Sequence, residues 1–394
     1  MTREAPDQYR LVPTRLQEKL ADGSTRCNLC PRRCRLRHGQ RGFCQAHVNR
    51  GGTLYNLTYG IVSSIDIGAI EDKPVRHYRP GTRVMSIGSY GCSFRCTGCH
   101  NLEISWGEAE LDLLARGRSH RAYVRPEEIV EAALRHDCRG IAFTYSEPVV
   151  WMEYVLDVCE RAHARGLYTV YVSNSFVTTS ALDCLAGAVD VLCSDIKSME
   201  DDFYRGICGK AGVADVLESL EYAHGLGFHV ETRTNIIPTR NDDLDNIART
   251  AAWIRDHLGA DSPRHLTRFF PAYRLSHLPP TPVELLHRAG DVARAEGSPT
   301  LSVYADRGCD CAVDNLPVAA YLDADPEAVG AVKRCSASCC GDEGVLLRKV
   351  RGRAGLRESA AEAVFSIQPV QVPALVRDLA EHPQAPAAGV RACR

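Results

Sequence analysis

The sequence lacks the features that mark several classes of protein. Its 394 residues carry a net charge of −2, so no overall field favours binding to nucleic acid or to a membrane surface. No apolar run is long enough to cross a bilayer. The polar start of the chain has no signal-peptide pattern, and no segment is repeated. We therefore expect a cytoplasmic globular protein without nucleic-acid or membrane partners.

Cysteine, by contrast, is abundant, with eighteen in the chain. Disulfides are rare in the reducing cytoplasm, so metal ligation is the default explanation for so many thiols. Two close sets stand out, namely Cys27, Cys30, Cys34 and Cys44, and Cys92, Cys96 and Cys99. The isolated Cys138, Cys159, Cys184, Cys193 and Cys208 fall in predicted helices and strands and are expected to be small buried hydrophobic residues.

The second set is the most informative. Cys92, Cys96 and Cys99 lie within eight residues, directly after an apolar segment. Four thiolates fill a cubane iron–sulfur cluster, so three thiolates in one loop leave one iron open to a substrate. An open iron indicates chemistry more than electron storage. A zinc knuckle or three unrelated thiols are the alternatives, although zinc loops usually show paired CxxC motifs and a separate pair of histidines.

This CxxxCxxC loop resembles the cluster-binding loop of the radical S-adenosylmethionine (SAM) superfamily. The sequence Cys-His-Asn at its end resembles the glycyl-radical activating enzymes. The resemblance implies a [4Fe–4S] cluster, SAM as a cofactor, and an external electron donor of the flavodoxin or ferredoxin type. Members usually have an aromatic residue before the third cysteine, which packs on the adenine. This chain has Gly98 there, so that contact is missing from the loop while the cluster ligands are present.

The first set, Cys27, Cys30, Cys34 and Cys44, places four thiolates in eighteen residues. Four thiolates close a tetrahedral zinc site or ligate a second iron–sulfur cluster, and the spacing does not choose between the metals. Because four protein thiolates leave no coordination position open to a substrate, this site is expected to have a structural or electron-relay role. Five arginines lie among these cysteines, and they are interpreted first as compensation of thiolate charge and second as a partner-binding surface.

The order of the motifs narrows the resemblance to radical SAM enzymes of the AmmeMemoRadiSam system, relatives of pyruvate formate-lyase activating enzyme. The similarity runs from about residue 27 to 305. Besides the two cysteine sets, it rests on residues 51–55, 59–64, 140–148, 195–197, 236–238, 241–242 and 265–271. The resemblance does not supply the biological substrate.

Apolar runs alternate with helical patterns from residue 84 to 305. Strands are predicted over residues 84–90, 140–145, 167–173, 189–195, 228–237, 265–270 and 299–305. Alternating units build an α/β fold with a parallel sheet, and the resemblance favours a partial (β/α)6 TIM-like barrel over a flat doubly wound sheet. The chemistry is then expected at the C-terminal ends of the strands, where the three-cysteine loop follows the first strand.

Four parts of the chain are predicted. Residues 1–83 form a small cysteine-rich N-terminal module with a hairpin around Gly51 and Gly52, and residues 84–305 form the core barrel. Residues 306–350 form a cysteine-rich C-terminal extension. Residues 351–394 form a tail that is partly helical or disordered.

Several polar residues after the second and third strands are expected to hold SAM. Glu147 follows the second strand in a segment that resembles the superfamily's glycine-glycine-glutamate-proline motif. The resemblance implies that its carboxylate binds the SAM ammonium, and the alternative is a cap of the next helix. Ser173 and Asn174 end the third strand and are expected to contact the ribose, with an ordinary turn as the alternative.

Further candidates follow the fourth and fifth strands. Asp195 and Lys197 resemble the Asp-x-Lys of activating enzymes, which implies that Lys197 contacts the SAM carboxylate or the substrate; a surface ion pair is the alternative. Glu231, Arg233 and Asn235 occupy every second position of the fifth strand, so their side chains share one face. If that face lines the barrel, these side chains need partners that SAM or the substrate would supply. His265, Arg268 and Tyr273 are weaker candidates of the same kind.

The C-terminal cysteines depart from the subfamily pattern, in which paired CxxC sets are expected. Cys309 and Cys311 follow the last strand, and Cys335, Cys339 and Cys340 come later. Three interpretations remain open, namely an auxiliary cluster, a zinc site, and a thiolate trap for a thiophilic substrate such as a metalloid. In the last case Cys309, Cys339 and Cys340 join Lys197 as candidate catalytic residues.

The expected reaction is reductive cleavage of SAM, followed by radical chemistry on a bound substrate. A small-molecule substrate is favoured, because a cysteine-bearing C-terminal segment is suited to cover the mouth of the barrel. One alternative is activation of a glycyl-radical partner protein. Another is transfer of a methyl, adenosyl or 3-amino-3-carboxypropyl group from SAM to a thiophilic substrate. The last is a non-catalytic iron–sulfur or zinc scaffold, which would release no nucleoside from SAM.

Overall fold

The structure is a computed structural model, and it describes residues 11–209 and 211–304. The C-terminal segments predicted over residues 306–350 and 351–394 lie outside the described residues, and so do their cysteines, including Cys309, Cys339 and Cys340. Within the described part, none of the helices combines the length and the apolarity that a membrane span requires.

Two small antiparallel sheets form the start of the described chain. Their strands are β1 (Val12–Pro13), β2 (Gln17–Lys19), β3 (Thr25–Cys27), β4 (Arg35–Leu36), β5 (His47–Arg50) and β6 (Thr53–Asn56). One sheet has the order β1-β6-β5 and the other the order β2-β3-β4. The predicted hairpin is β5–β6, and Gly51 and Gly52 both have positive φ at its turn, as a two-residue turn of this kind requires.

An eight-stranded sheet follows. Its strands are β7 (Ser64–Ala69), β8 (Arg83–Gly88), β9 (Gly140–Phe143), β10 (Tyr168–Ser173), β11 (Val191–Asp195), β12 (His229–Ile236), β13 (Arg264–Arg268) and β14 (Leu301–Tyr304). They pair in sequence order, and β8 to β14 are parallel while β7 is antiparallel to β8. The predicted α/β class with a partial parallel sheet is confirmed. The predicted boundary at residue 83 falls inside this sheet, because β7 belongs to the N-terminal part.

Helices connect the parallel strands. They are α1 (Leu102–Ser105), α2 (Glu108–Ala115), α3 (Pro126–Arg135), α4 (Met152–Ala164), α5 (Thr179–Leu185), α6 (Asp201–Ile207), α7 (Val213–Gly225), α8 (Leu244–Leu258) and α9 (Val283–Ala295). The predicted helical patterns correspond to α3, α4, α5, α7, α8 and α9. For example, α3 begins with Pro126 at its first position and buries Ile129 and Val130 against the sheet.

The segment after β7 closes one end of the sheet. Ile70 and Val75 pack with interior side chains of four strands in a small buried cluster. At the far edge, Tyr304 donates a hydrogen bond to the Glu71 carbonyl (3.2 Å) and accepts one from Arg76 (2.9 Å). This segment connects the end of β7 to the start of β8, so it lies at the N-terminal ends of the parallel strands. The opposite end of the sheet, formed by the C-terminal ends of the parallel strands, is not covered by this segment and carries the candidate active site.

A buried carboxylate links the N-terminal part to the core. Glu153 of α4 accepts hydrogen bonds from the Arg15 backbone N–H and from the Asn56 side-chain amide, both at 2.9 Å. Glu153 and Asn56 are both buried. Buried polar groups are paired in native proteins, so this contact fixes the N-terminal part against α4.

Candidate active site

The three-cysteine loop follows β8, and each of its sulfurs meets a hydrogen-bond donor. The donors are the Phe94 N–H (3.4 Å) and the Asn174 amide (3.7 Å) for Cys92, the Ser105 hydroxyl (3.1 Å) for Cys99, and the Cys208 thiol for Cys96. The hydrogen bond from Cys208 lowers the pKa of the Cys96 thiol. Donors to sulfur stabilise thiolates and tune cluster potentials, so this set of ligands fits an iron–sulfur cluster.

The last residue of α6 and the residue that follows it hold the loop in place. The backbone N–H of Arg95 donates to the Cys208 carbonyl (3.1 Å), and that of Thr97 donates to the Ile207 carbonyl (2.9 Å). Cys208 is buried, as expected, but its thiol also contacts a candidate ligand. Its position beside Cys96 could not be read from the sequence, because the two residues are brought together only by the fold.

Leu275 occupies the room beside Gly98. A Cβ added at Gly98 would lie 2.8 Å from the Leu275 Cδ1 atom, so a larger side chain would collide there. The Arg274 N–H donates to the Thr97 carbonyl (3.0 Å) and fixes this approach. An apolar side chain from another part of the fold therefore lies against the loop position that lacks the aromatic residue.

Glu147 lies buried beside the end of β10. Its carboxylate accepts hydrogen bonds from Ser173 Oγ (2.9 Å), the Asn174 N–H (2.9 Å) and the Val149 N–H (3.3 Å). Burial raises the pKa of Glu147 to about 7, although these hydrogen bonds oppose the shift. The three residues expected from the sequence thus meet, and the Asn174 amide also reaches Cys92. Glu147 caps the short turn Pro148–Trp151 as well, so the two interpretations of this residue are compatible.

The turn before Glu147 is strained. Tyr145 has φ +69°, in the left-handed region that glycine adopts most readily. It stands where the resembling motif has glycine. The Asn101 side-chain amide donates to the Tyr145 carbonyl (3.1 Å), which ties this turn to the residue two positions after Cys99. Strained backbone of this kind collects at functional sites.

Asp195, Lys197 and Arg233 form an ion-pair cluster at the ends of β11 and β12. Lys197 Nζ lies 2.6 Å from Asp195 Oδ2, and Arg233 Nε lies 2.6 Å from Asp195 Oδ1. Burial opposes charge on these groups, but the ion pairs outweigh it, so the pKa of Asp195 is lowered and that of Lys197 is raised. Asp195 and Lys197 also act electrostatically on Cys96, so this ion-pair cluster lies beside the three-cysteine loop.

Glu231 lies elsewhere. It is near the start of β12, and its carboxylate accepts hydrogen bonds from the Arg76 and His77 N–H groups (2.9 Å each). His265 (2.7 Å) and His229 (2.9 Å) contact it as well. Burial acts to raise its pKa, yet these partners hold the pKa at about 2. Sequence periodicity placed Glu231 on the same strand face as Arg233 but did not reveal that the segment after β7 covers it. We therefore remove Glu231 and His265 from the candidate SAM-binding set.

The remaining weaker candidates also have partners within the protein. Asn235 donates to Thr267 Oγ1 (3.1 Å) and to the Arg268 carbonyl (2.9 Å). Arg268 Nε donates to the Thr281 carbonyl (2.7 Å), and the ring of Tyr273 packs edge-on against Trp106. These three side chains therefore already have partners within the protein.

Replacing Glu231 with glutamine is expected to destabilise the fold by about 1–3 kcal/mol, because the new NH2 group would face backbone donors in a buried place. SAM affinity should not change. The lowered pKa means that the stabilisation by Glu231 is present above its usual pKa and is lost as the pH falls towards 2. Denaturation midpoints and SAM binding measure the two effects, with Glu160→Gln on the exposed face of α4 as the control. A large loss of SAM affinity at unchanged stability would restore Glu231 to the site.

Comparison with known proteins decides the family. The sequence pattern described as the radical SAM superfamily matches residues 86–251. The uncharacterized protein MJ0808 of Methanocaldococcus jannaschii is 40% identical over 280 residues, which are 71% of this chain and 81% of that protein. The chain belongs to the radical SAM superfamily. It is an enzyme of this superfamily, whose members use a [4Fe–4S] cluster and SAM.

Other relatives carry names with a function. The pyruvate formate-lyase-activating enzyme of Clostridium pasteurianum is 28% identical over 185 residues, which are 45% of this chain and 71% of that protein. Among solved structures, a radical SAM methyltransferase from Sphaerobacter thermophilus is 18% identical, with a TM-score of 0.44, and the match covers 59% of this chain and 69% of that one. The predicted relationship to pyruvate formate-lyase activating enzyme is confirmed.

Proposed function

We propose that this radical SAM enzyme binds its cluster through Cys92, Cys96 and Cys99 and cleaves SAM reductively. The observation that carries the proposal is the donor that meets each of the three sulfurs, at the same end of the sheet as Glu147 and Lys197. When bound, the cluster supplies the electron that breaks a carbon–sulfur bond of SAM. The protein supplies binding, orientation and exclusion of water.

Different polar residues of the site are placed to bind different groups of the SAM molecule. The Glu147 carboxylate is placed to accept a hydrogen bond from the SAM ammonium, and Ser173 and Asn174 hold Glu147 and offer polar groups to the ribose. Lys197 and Arg233 both pair with the carboxylate of Asp195, and the Lys197 ammonium also acts electrostatically on Cys96. A positive charge beside Cys96 suits the SAM carboxylate or an anionic group of the substrate.

Leu275 takes the place of the missing aromatic residue against the adenine. Replacing Leu275 with alanine is expected to weaken SAM binding about tenfold, since burial of a leucine side chain contributes roughly 1.5–3 kcal/mol when complete. The iron content should stay the same. Anaerobic equilibrium dialysis measures the affinity, and Leu278→Ala, three residues away and half-buried, is the control. Equal affinity in both variants would remove Leu275 from the adenine site.

Two substrate classes remain. The Cys-His-Asn sequence at the end of the loop and the relative named pyruvate formate-lyase-activating enzyme favour activation of a glycyl-radical partner protein. A small-molecule substrate is favoured by the cysteines beyond residue 305, because thiolates can hold a thiophilic substrate. Electrons come from an external donor of the flavodoxin or ferredoxin type in either case. The four N-terminal cysteines add a second metal site, with iron–sulfur or zinc as its content.

The product nucleoside tests these alternatives. Hydrogen abstraction releases 5′-deoxyadenosine, whereas aminocarboxypropyl transfer releases methylthioadenosine. We expect 5′-deoxyadenosine from reconstituted enzyme, SAM and dithionite, detected by liquid chromatography and mass spectrometry. Methylthioadenosine as the main product would replace radical hydrogen abstraction with group transfer. Incubation with candidate peptides that carry deuterium on the glycine α-carbon then identifies the substrate class, because the abstracted deuterium appears in the 5′-deoxyadenosine.

A further inference from the structure

The N-terminal cysteine set lies directly against the three-cysteine loop. We call residues 27–47 the four-cysteine module. Gly91, the first residue before the loop, has φ +97°, and a Cβ added there would lie 2.7 Å from the Cys44 carbonyl oxygen. The module also reaches the start of α5, where the Thr178 N–H donates to the Leu29 carbonyl (3.1 Å). The two cysteine sets are therefore neighbours in space.

Arg32 joins the two sets. Its Nε donates to the Ser93 carbonyl inside the loop (2.7 Å), and its Nη2 donates to the Gly209 carbonyl beside the loop (2.6 Å). The guanidinium lies 3.5 Å from the centre of the Phe43 ring. Burial lowers the pKa of Arg32, and the sulfurs of Cys30, Cys34, Cys92 and Cys44 oppose that shift. The positive charge of Arg32 thus lies within electrostatic reach of both cysteine sets.

Backbone donors face the four sulfurs of the module, although burial raises the pKa of the Cys27, Cys30 and Cys44 thiols. Backbone N–H groups donate to all four sulfurs, from Leu29 to Cys27, from Arg32 to Cys30, from Phe43 to Cys34 (3.5 Å), and from Ala46 and His47 to Cys44. Four thiolates without a metal would repel one another, so such a shell of donors indicates a bound metal or cluster.

The position of the module favours a cluster over zinc. Four thiolates fit either group, since tetrahedral zinc and a cubane cluster each take four sulfurs. Zinc has no redox chemistry and cannot carry an electron. The module lies directly against the three-cysteine loop, where a redox-active cluster has a use that a zinc ion lacks.

We infer that the four-cysteine module holds a [4Fe–4S] cluster that passes electrons to the cluster of the three-cysteine loop. This inference rests on the proposed function and assigns the metal and the role of the module. A reduced donor of the flavodoxin or ferredoxin type gives one electron to the module cluster. That electron then moves to the catalytic cluster, so the module cluster returns to its oxidised state and the catalytic cluster becomes reduced. No bond is made or broken in this step.

The outer face of the module suits such a donor. Arg33, Arg35 and Arg37 are exposed on it, whereas Arg32 points inward to the loop. An arginine-rich face attracts an acidic donor protein and speeds its docking. The module therefore lies between a positively charged surface and the catalytic loop, which is the position that a relay requires.

The first test identifies the metal. Cys92, Cys96 and Cys99 are replaced together with alanine, and the protein is purified anaerobically from cells supplied with iron and zinc. We expect about four irons per chain and a dithionite-reduced electron paramagnetic resonance (EPR) signal that SAM does not alter. The complementary Cys30→Ala/Cys34→Ala variant should keep about four irons and a signal that SAM does alter. Zinc without iron in the triple variant would overturn the inference. Loss of the SAM-sensitive signal from the wild-type protein would instead overturn the proposed function.

The second test addresses the role. The Cys30→Ala/Cys34→Ala variant should cleave SAM with dithionite, a small reductant, but not with reduced flavodoxin. Arg32→Ala should slow reduction of the catalytic cluster by flavodoxin about tenfold or more, because it removes two charged hydrogen bonds that hold module and loop together. Stopped-flow absorbance measures this rate. Arg165→Ala, which loses an exposed ion pair with Glu131 outside the module, is the matched control. Equal rates in the two arginine variants, or flavodoxin-driven cleavage without the module cysteines, would contradict the relay.

Discussion

Replacing Cys92, Cys96 or Cys99 with alanine is expected to abolish reductive SAM cleavage, with a fall of at least about three orders of magnitude to the background rate. The physical reason is that a cluster with only two protein thiolates is not held in place, and without it no group beside the bound SAM can deliver an electron to the sulfonium. Nucleoside release from anaerobically reconstituted protein with dithionite is the measurement.

Cys159→Ala is the control for the loss of a thiol. Cys159 is buried in α4 and, like the loop cysteines, contributes a sulfur to a packed region, but its thiol lies away from the loop. This variant should keep its SAM cleavage activity within about twofold and lose at most roughly 1 kcal/mol of stability. Normal nucleoside release from any one of the three loop variants would show that the cluster is bound elsewhere.

Replacing Glu147 with glutamine is expected to weaken SAM binding about 10- to 100-fold at pH 8, since hydrogen bonds to charged groups contribute about 1.5–3 kcal/mol. Burial raises the pKa of Glu147 to about 7, so below that pH the carboxyl is protonated and no longer attracts the ammonium. The affinity of the wild-type protein for SAM should therefore rise between pH 6 and 8, and the glutamine variant should lose this rise.

The stability of the SAM-free protein should change in the opposite direction. A carboxyl whose pKa is higher in the folded state than in the unfolded state binds more protons when folded, so stability falls as the pH rises from its usual pKa towards about 7. SAM should cancel this fall by supplying a positive charge. Thermal unfolding of both proteins across this pH range provides the check. Parallel pH profiles of affinity in wild type and variant would remove Glu147 from the SAM site.

Most of the parallel sheet could be predicted from the sequence. The seven predicted strands correspond to β8 to β14, because a buried parallel strand leaves a continuous apolar run that needs no knowledge of its neighbours. The antiparallel strand β7 was missed, since Ser64–Ala69 lies in the part of the chain assigned to a separate module. Its place is set by pairing with β8, and a sequence pattern does not specify the partner of a strand.

The candidate site was predictable only where residues lie next to a strand end. Glu147, Ser173 and Asn174 are brought together in the structure because adjacent parallel strands end at the same edge. Glu231 shows the limit of this reasoning, because periodicity gives the face of a strand but not how far along it a site lies. Leu275 and Cys208 reach the loop through long-range packing, so no local signal in the sequence marks them.

One measurement tests the central claim most directly. Wild-type protein, purified and reconstituted without oxygen, is reduced with dithionite and examined by EPR with and without SAM, and the nucleosides released are then counted. We predict a reduced-cluster signal whose shape changes when SAM is added, together with 5′-deoxyadenosine in excess over the amount formed without protein. A protein that carries its full iron, yet shows no spectral change with SAM and releases no nucleoside, would contradict the account.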